Sequence, residues 1–193
     1  ESNSPATIMS RIWCFAQFLL LSILFTSPST AADELGFRNI RLISEKNAVS
    51  HEDKSAIIAS DIELAPKWKT YWRSPGQTGI PLKFSIVDSN NVMDIVPLWP
   101  APNRFVNKQF PSLSTIGYMD RLILPLRLLL VRNGQGVSVA LDVSFSMCHD
   151  MCIGAVERLG ITLPIGTPQR TEEAKVIASW LAPVSYTHLT LPT

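Results

Sequence analysis

Cysteine is scarce in this sequence: three among 193 residues, Cys14, Cys148 and Cys152. That excludes a disulfide-rich scaffold, which uses several bridges in place of a core. An excess of either charge is lacking too, with 17 Lys and Arg against 16 Asp and Glu and a formal net charge of +1. Such a balance points to neither a nucleic-acid-binding face nor a polybasic membrane patch. His51 and His188 stand alone, so no second cysteine or histidine cluster completes a four-ligand zinc site. No hydrolase arrangement stands out, and Gly134-Gln135-Gly136 reads as a turn, not a phosphate loop.

A membrane-length apolar run is also missing. The most apolar segment, Ile12 to Phe25, has 14 residues, whereas a spanning helix needs about 20. It follows Met9-Ser10-Arg11 and precedes Thr26-Ser27-Pro28-Ser29-Thr30-Ala31-Ala32. A short basic start, an apolar middle and a small-residue end describe a secretory signal peptide over residues 9–32, with an uncleaved anchor as the alternative. Cleavage is expected after Ala31 or Ala32, which leaves residues 1–8 upstream of the natural start. At the other end, Val184 to Thr193 breaks the preceding pattern and reads as a translated sequencing-adaptor tail, with the protein expected to continue past Pro183. Between these ends lies one domain, 33–170, large enough for a real core, followed by a helical linker, 171–183. Export places the domain in an oxidising compartment, where a cysteine pair persists as a disulfide.

Period-two alternation recurs along this domain. Ile40 to Ile43 reads as a strand, and Ala56, Ile58, Ser60, Ile62 and Leu64 share one face of another, closed by Pro66. Trp68 and Trp72 share a face whether their segment is a strand or a helical turn. Ser74-Pro75-Gly76 is expected to turn, and Leu82, Phe84 and Ile86 to continue a strand as far as a turn at Asp88 to Asn91. Asp94 to Trp99 reads as a short strand and Phe105 to Ser114 as a loop. Ile116 to Val131 is apolar, and Pro125 within it suits an edge strand or a bulge. Val137, Val139, Leu141, Val143, Phe145 and Met147 alternate with polar or small residues, as Leu159, Ile161 and Leu163 do later. Thr171 to Leu181 carries Ala174, Ile177, Ala178 and Leu181 on one helical face. Seven or so short strands with proline- and glycine-rich connections predict an all-β, immunoglobulin-like β-sandwich with a short C-terminal helix or linker.

The chemistry concentrates in Met147-Cys148-His149-Asp150-Met151-Cys152. Along an extended strand, four residues would separate the two cysteine α-carbons by roughly 13 Å. A disulfide needs about 7 Å or less. The chain therefore either turns back through His149, Asp150 and Met151 or winds into a helical turn. The alternation on both sides favours the reversal.

Four segments in order resemble the N-terminal periplasmic domain of the DsbD thiol:disulfide interchange family and its ScsB-type, copper-sensitivity-suppressor relatives. They are Trp68-Lys69-Thr70-Tyr71-Trp72-Arg73-Ser74-Pro75-Gly76, Leu98-Trp99-Pro100-Ala101-Pro102, Ile116 to Leu126, and the cysteine segment. The resemblance implies an immunoglobulin-like module that relays electrons through Cys148 and Cys152. Its donors would be a thioredoxin-like domain and a membrane-embedded domain, and its acceptors periplasmic disulfide isomerase-type or related thiol proteins. It would act as a monomeric module without a cofactor, in the periplasm, alone or within a larger inner-membrane protein. The family's aromatic cap falls near Phe105 to Ser114, with Phe110 as its residue, and Trp72 falls where the family places an aromatic beside the cysteines. One departure is the spacing: three residues separate the cysteines here, against five in the best-known DsbD proteins.

Exchange needs an accessible thiol and a second one to resolve the mixed disulfide. Cys152 is expected to be attacked and Cys148 to resolve. His149 would favour a thiolate when protonated, and Asp150 would oppose it. Two other readings stand beside this one. A non-catalytic interaction domain would keep the pair as a staple, although so small a ring adds only about 2 kcal/mol. A copper-handling module would use Met147, Cys148, His149, Met151 and Cys152, whose soft donors suit copper(I); Met147, however, continues the apolar alternation and reads as core.

Overall fold

Alternating sequences become strands wherever a second layer can cover one face. The computed structural model describes residues 36–106 and 114–182. Among them the strands are β1 (Phe37–Ser44), β2 (Ser55–Leu64), β3 (Lys69–Gly76), β4 (Lys83–Asn90), β5 (Val92–Pro97), β6 (Asn103–Phe105), β7 (Thr115–Met119), β8 (Arg121–Leu130), β9 (Val137–Cys148) and β10 (Cys152–Leu163), with one helix, α1 (Ala174–Leu181). A four-stranded sheet runs β1-β2-β8-β5, and a six-stranded sheet runs β10-β9-β3-β7-β6 with β4 also paired to β9. Every pairing between these strands is antiparallel. Ile58 and Ile62 of β2 and the even-numbered leucines of β8 share one buried core with Val139, Leu141, Val143, Phe145 and Met147 of β9. The result is the expected immunoglobulin-like β-sandwich.

Several expected boundaries move. Asp88 to Asn90 continue β4, because they pair with β9 at its edge, where polar residues need no burial. The turn comes at Asn91, at φ 64°. Its amide donates to the carbonyls of Arg132 and Gln135, both at 3.0 Å, and ties two turns together. Ser74-Pro75-Gly76 ends β3 instead of turning, through a register shift between Tyr71 and Gly76. Ile116 to Val131 divides into β7 and β8 at Asp120, whose φ of 65° makes the corner between the two sheets.

Pro125 lies in an inner strand, not at an edge or bulge. It pairs with Ala59 of β2, and its carbonyl accepts the Leu98 N–H at 2.8 Å, just beyond the end of β5. An antiparallel residue aims its N–H and C=O to the same side. The missing donor therefore faces the place where the β5 ladder is already ending, and no further bond is lost.

The helix is packed. Ile177 is buried with Ile43, Ala59 and Ile123 on the side of the four-stranded sheet away from the main core. Buried Asp61 accepts from Arg41 at 3.1 Å and from Arg121 at 2.8 and 3.0 Å beside it.

Candidate functional site

The site grows out of the β9–β10 hairpin. The two strands pair residue for residue from Val137 opposite Leu163 to Cys148 opposite Cys152. The chain then reverses through His149, Asp150 and Met151, with the His149 N–H donating to the Met151 carbonyl at 3.0 Å. Of the two geometries open to the sequence, the reversal is the one adopted. It brings the cysteine α-carbons to 4.1 Å, and the sulfurs are bonded. Phe145 and Met147 point into the core, so by alternation Cys148 and Cys152 lie on the outer face of the six-stranded sheet. Cys148 is only 4% exposed, whereas Cys152 is open to solvent. Beyond it on the same face Gly154 has open space above it, and Ile80, Met151 and Val156 are exposed.

Strand β3 borders Cys148. Lys69 pairs with Cys148 on one side and with Met119 on the other, so Met119, Lys69, Cys148 and Cys152 form one row across four strands. The Lys69 ammonium donates to Thr115 Oγ1 at 3.3 Å and lies 5.6 Å from the Phe105 ring centre. Two residues before Cys148, the Ser146 hydroxyl donates to the Ile80 carbonyl at 2.9 Å and accepts the Ile80 N–H at 3.2 Å. That strap passes over Tyr71, whose ring lies so close to Gly79 that an added Cβ would fall 2.4 Å from it. Burial pushes the Tyr71 phenol upward.

A bonded cysteine pair at the end of a sandwich, one residue buried and one exposed, is a geometry suited to thiol exchange. Residues 40–164 match the family described as thiol:disulfide interchange protein DsbD, N-terminal. The chain belongs to this family. Among solved structures it is similar to the N-terminal periplasmic domain of ScsB from Proteus mirabilis, at TM-score 0.55 and 22% identity over 77% of this chain. It spans 58% of the length of that ScsB domain. The reduced N-terminal domain of Neisseria meningitidis DsbD aligns at TM-score 0.38 and 9% identity, over 75% of this chain and 100% of the other. No curated protein matches the chain significantly. Membership and the bonded pair together support a thiol:disulfide exchange module.

Within this DsbD N-terminal-type domain the structure brings together Cys148, Cys152 and His149. The His149 ring packs against Trp68 with centroids 6.1 Å apart, and its Nδ1 lies 3.0 Å from Asp150 Oδ2. Trp72 packs against the main core with the Arg73 guanidinium 4.9 Å above its ring, and its buried Nε1 has no partner among the described residues. Phe110 lies outside the described residues. On either side of its segment, Phe105 pairs with Thr115 across β6 and β7, and Thr115 Oγ1 accepts from the Lys69 ammonium. Met147 is fully buried, and as the strand neighbour of Cys148 it leaves the opposite face. The five soft donors of the copper reading therefore do not converge. Trp68, which the alternation marks as core, also packs on the site's histidine. Lys69, Ser146 and Ile80 carry no signal in the sequence; only strand pairing shows that Lys69 faces a cysteine.

Proposed function

We propose that this domain is a periplasmic exchange module that passes electrons through the Cys148–Cys152 pair. They come from a membrane-linked, thioredoxin-like donor and go to periplasmic thiol proteins. The observation that carries the reading is the unequal exposure of two bonded cysteines at a hairpin tip, Cys148 buried and Cys152 exposed. In the reductive half, a donor thiolate attacks the sulfur of the exposed residue, Cys152. The bond between Cys152 and Cys148 breaks, a bond to the donor forms, and the electron pair leaves on Cys148. The donor's second thiol then attacks its own sulfur in the mixed disulfide and frees the Cys148–Cys152 dithiol. In the oxidative half, the Cys152 thiolate attacks a partner disulfide. Cys148 then attacks Cys152 and releases the partner as a dithiol. The resolving thiol sits directly opposite, so no chain movement separates the two steps.

A staple explains the same bond less well. The hairpin is already held by a ladder twelve residues long on each strand, and a ring this small adds only about 2 kcal/mol.

The test is the reduction potential of the pair, by equilibration with glutathione or dithiothreitol followed by thiol trapping. A value of roughly −180 to −270 mV, where exchange proteins lie, is expected. Cys148→Ala should then accumulate mixed disulfides on Cys152, and Cys152→Ala should accumulate few. A pair that resists reduction until the fold is lost would leave a stapled interaction domain.

A further inference from the structure

We infer that Lys69 is a positioning residue of the exchange site, its ammonium holding the negative charge that appears on the Cys148 sulfur when the disulfide opens. The inference rests on the exchange reading and adds to it a residue that sets how readily Cys148 leaves.

Register comes first. Lys69 and Cys148 are direct antiparallel partners, and such pairs share a face with β-carbons about 4.5–5.5 Å apart. Tethering comes second. With the disulfide closed, the Lys69 ammonium leans along this face toward β7 and β6, away from Cys148, onto Thr115 Oγ1 at 3.3 Å and the Phe105 ring at 5.6 Å; a side-chain rotation off these contacts brings it to a Cys148 thiolate. Both partners are neutral, and among the described residues no carboxylate is paired with Lys69. Its charge is therefore available to a nearby anion.

The other charged groups around Cys148 are weaker candidates. In the turn, His149 and Asp150 lie 3.0 Å from each other and offset one another when the imidazole is protonated. On β10 the nearest cation along the outer face is Arg158, which is bonded to Asp142 of β9 at 2.8 and 3.0 Å. On β3, Arg73 lies over Trp72. Of these groups, Lys69 combines a lasting charge, no paired carboxylate and a direct cross-strand position.

The consequence falls on one step. When a thiolate bonds to Cys152, the electron pair of the broken bond goes to Cys148, and a leaving thiol departs faster the more its thiolate is stabilised. A cation beside a thiol stabilises the thiolate. On the return step the same charge keeps Cys148 ionised, ready to attack Cys152.

Two measurements in the full chain test this. In a Cys152→Ser background, thiolate absorbance against pH follows Cys148 alone. Adding Lys69→Met should raise its midpoint and cut the thiolate fraction at neutral pH several-fold, at most the roughly tenfold that a cation turned to within 4–6 Å produces. Lys69→Arg should restore it. In the two-cysteine chain, Lys69→Met should slow reduction by dithiothreitol several-fold throughout the range pH 6 to 9, after correction for the reagent's own ionisation. Dithiothreitol is too small to report on lost docking contacts, and an unchanged melting temperature of the oxidised form guards against misfolding. An unchanged Cys148 titration in Lys69→Met, or a Lys69→Arg variant as impaired as Lys69→Met, overturns the inference. If the wild-type pair resists glutathione while Lys69→Met still shifts Cys148, the exchange reading falls and the electrostatic contact stands.

Discussion

Met147 and Cys148 are chain neighbours with opposite surroundings, one sealed in the core and the other at the outer face beside Lys69. Period two dictates this split, and the alternation from Val137 onward makes Met147 legible as core from the sequence alone. Lys69 is not legible in the same way. Its neighbours Trp68 and Trp72 dominate the pattern of the segment, and a lysine between them looks like ordinary solvent-facing charge. Tyr118 carries a separate test at this scale. Its hydroxyl donates to the Pro100 carbonyl at 2.8 Å in a buried setting, and burial pushes the phenol well above its ordinary value of 10.0. The fold therefore favours the neutral phenol. The stability this adds is whole below about pH 10 and is lost as the pH rises through the folded-state value. Tyr118→Phe should lower stability by about 1–2 kcal/mol at neutral pH, the cost of leaving a buried carbonyl unpaired. It should also flatten the alkaline loss of stability seen in denaturant titrations above pH 10.

Elements are legible where alternation meets a boundary signal, as in β2, β9 and β10. Local pattern misleads where pairing at an edge lets polar residues continue a strand, as at Asp88 to Asn90, and where the end of a neighbouring ladder makes room for Pro125. The helix shows the same limit. Its apolar face is apparent in the sequence but its target is not, so the segment reads as a linker when in fact it packs. Ile177 lies buried against Ile43, Ala59 and Ile123. Ile177→Ala should cost about 2–4 kcal/mol of unfolding free energy and leave the reduction potential of the cysteine pair unchanged. A loss below about 0.5 kcal/mol would mean that α1 is detached in solution. Asp61, close by, accepts from both Arg41 and Arg121, and its hydrogen bond pushes the Arg121 guanidinium further up. Both arginines can reach solvent, so Asp61→Asn should cost about 2–3 kcal/mol, below the usual 3–5 for a broken buried pair.

For the molecule as a whole, the long ladder of the hairpin predicts a sandwich that keeps its fold without the disulfide. The bond closes a ring from residue 148 to 152 at the end of a hairpin already fixed by its ladder. Reduction should therefore lower the unfolding free energy by only about 2 kcal/mol. The melting temperature should fall by about 4–8 °C for a domain of this size, with the strand signal in circular dichroism retained. A reduced form that unfolds at room temperature would instead assign the bond a structural task. A fold that survives both redox states is what a cycling pair requires.

The sequence alone determined the class of fold, the strand that carries the cysteines and the family resemblance. Burial periodicity, turn residues and short motifs are all written within a few neighbouring positions. The tertiary structure decided that the two cysteines differ in exposure, that Lys69 rather than Trp72 stands opposite Cys148, and that Met147 is turned away from them. Those facts depend on which strands pair and in what register. Pairing joins residues about 80 positions apart, such as Lys69 and Cys148, whose relation no local pattern contains.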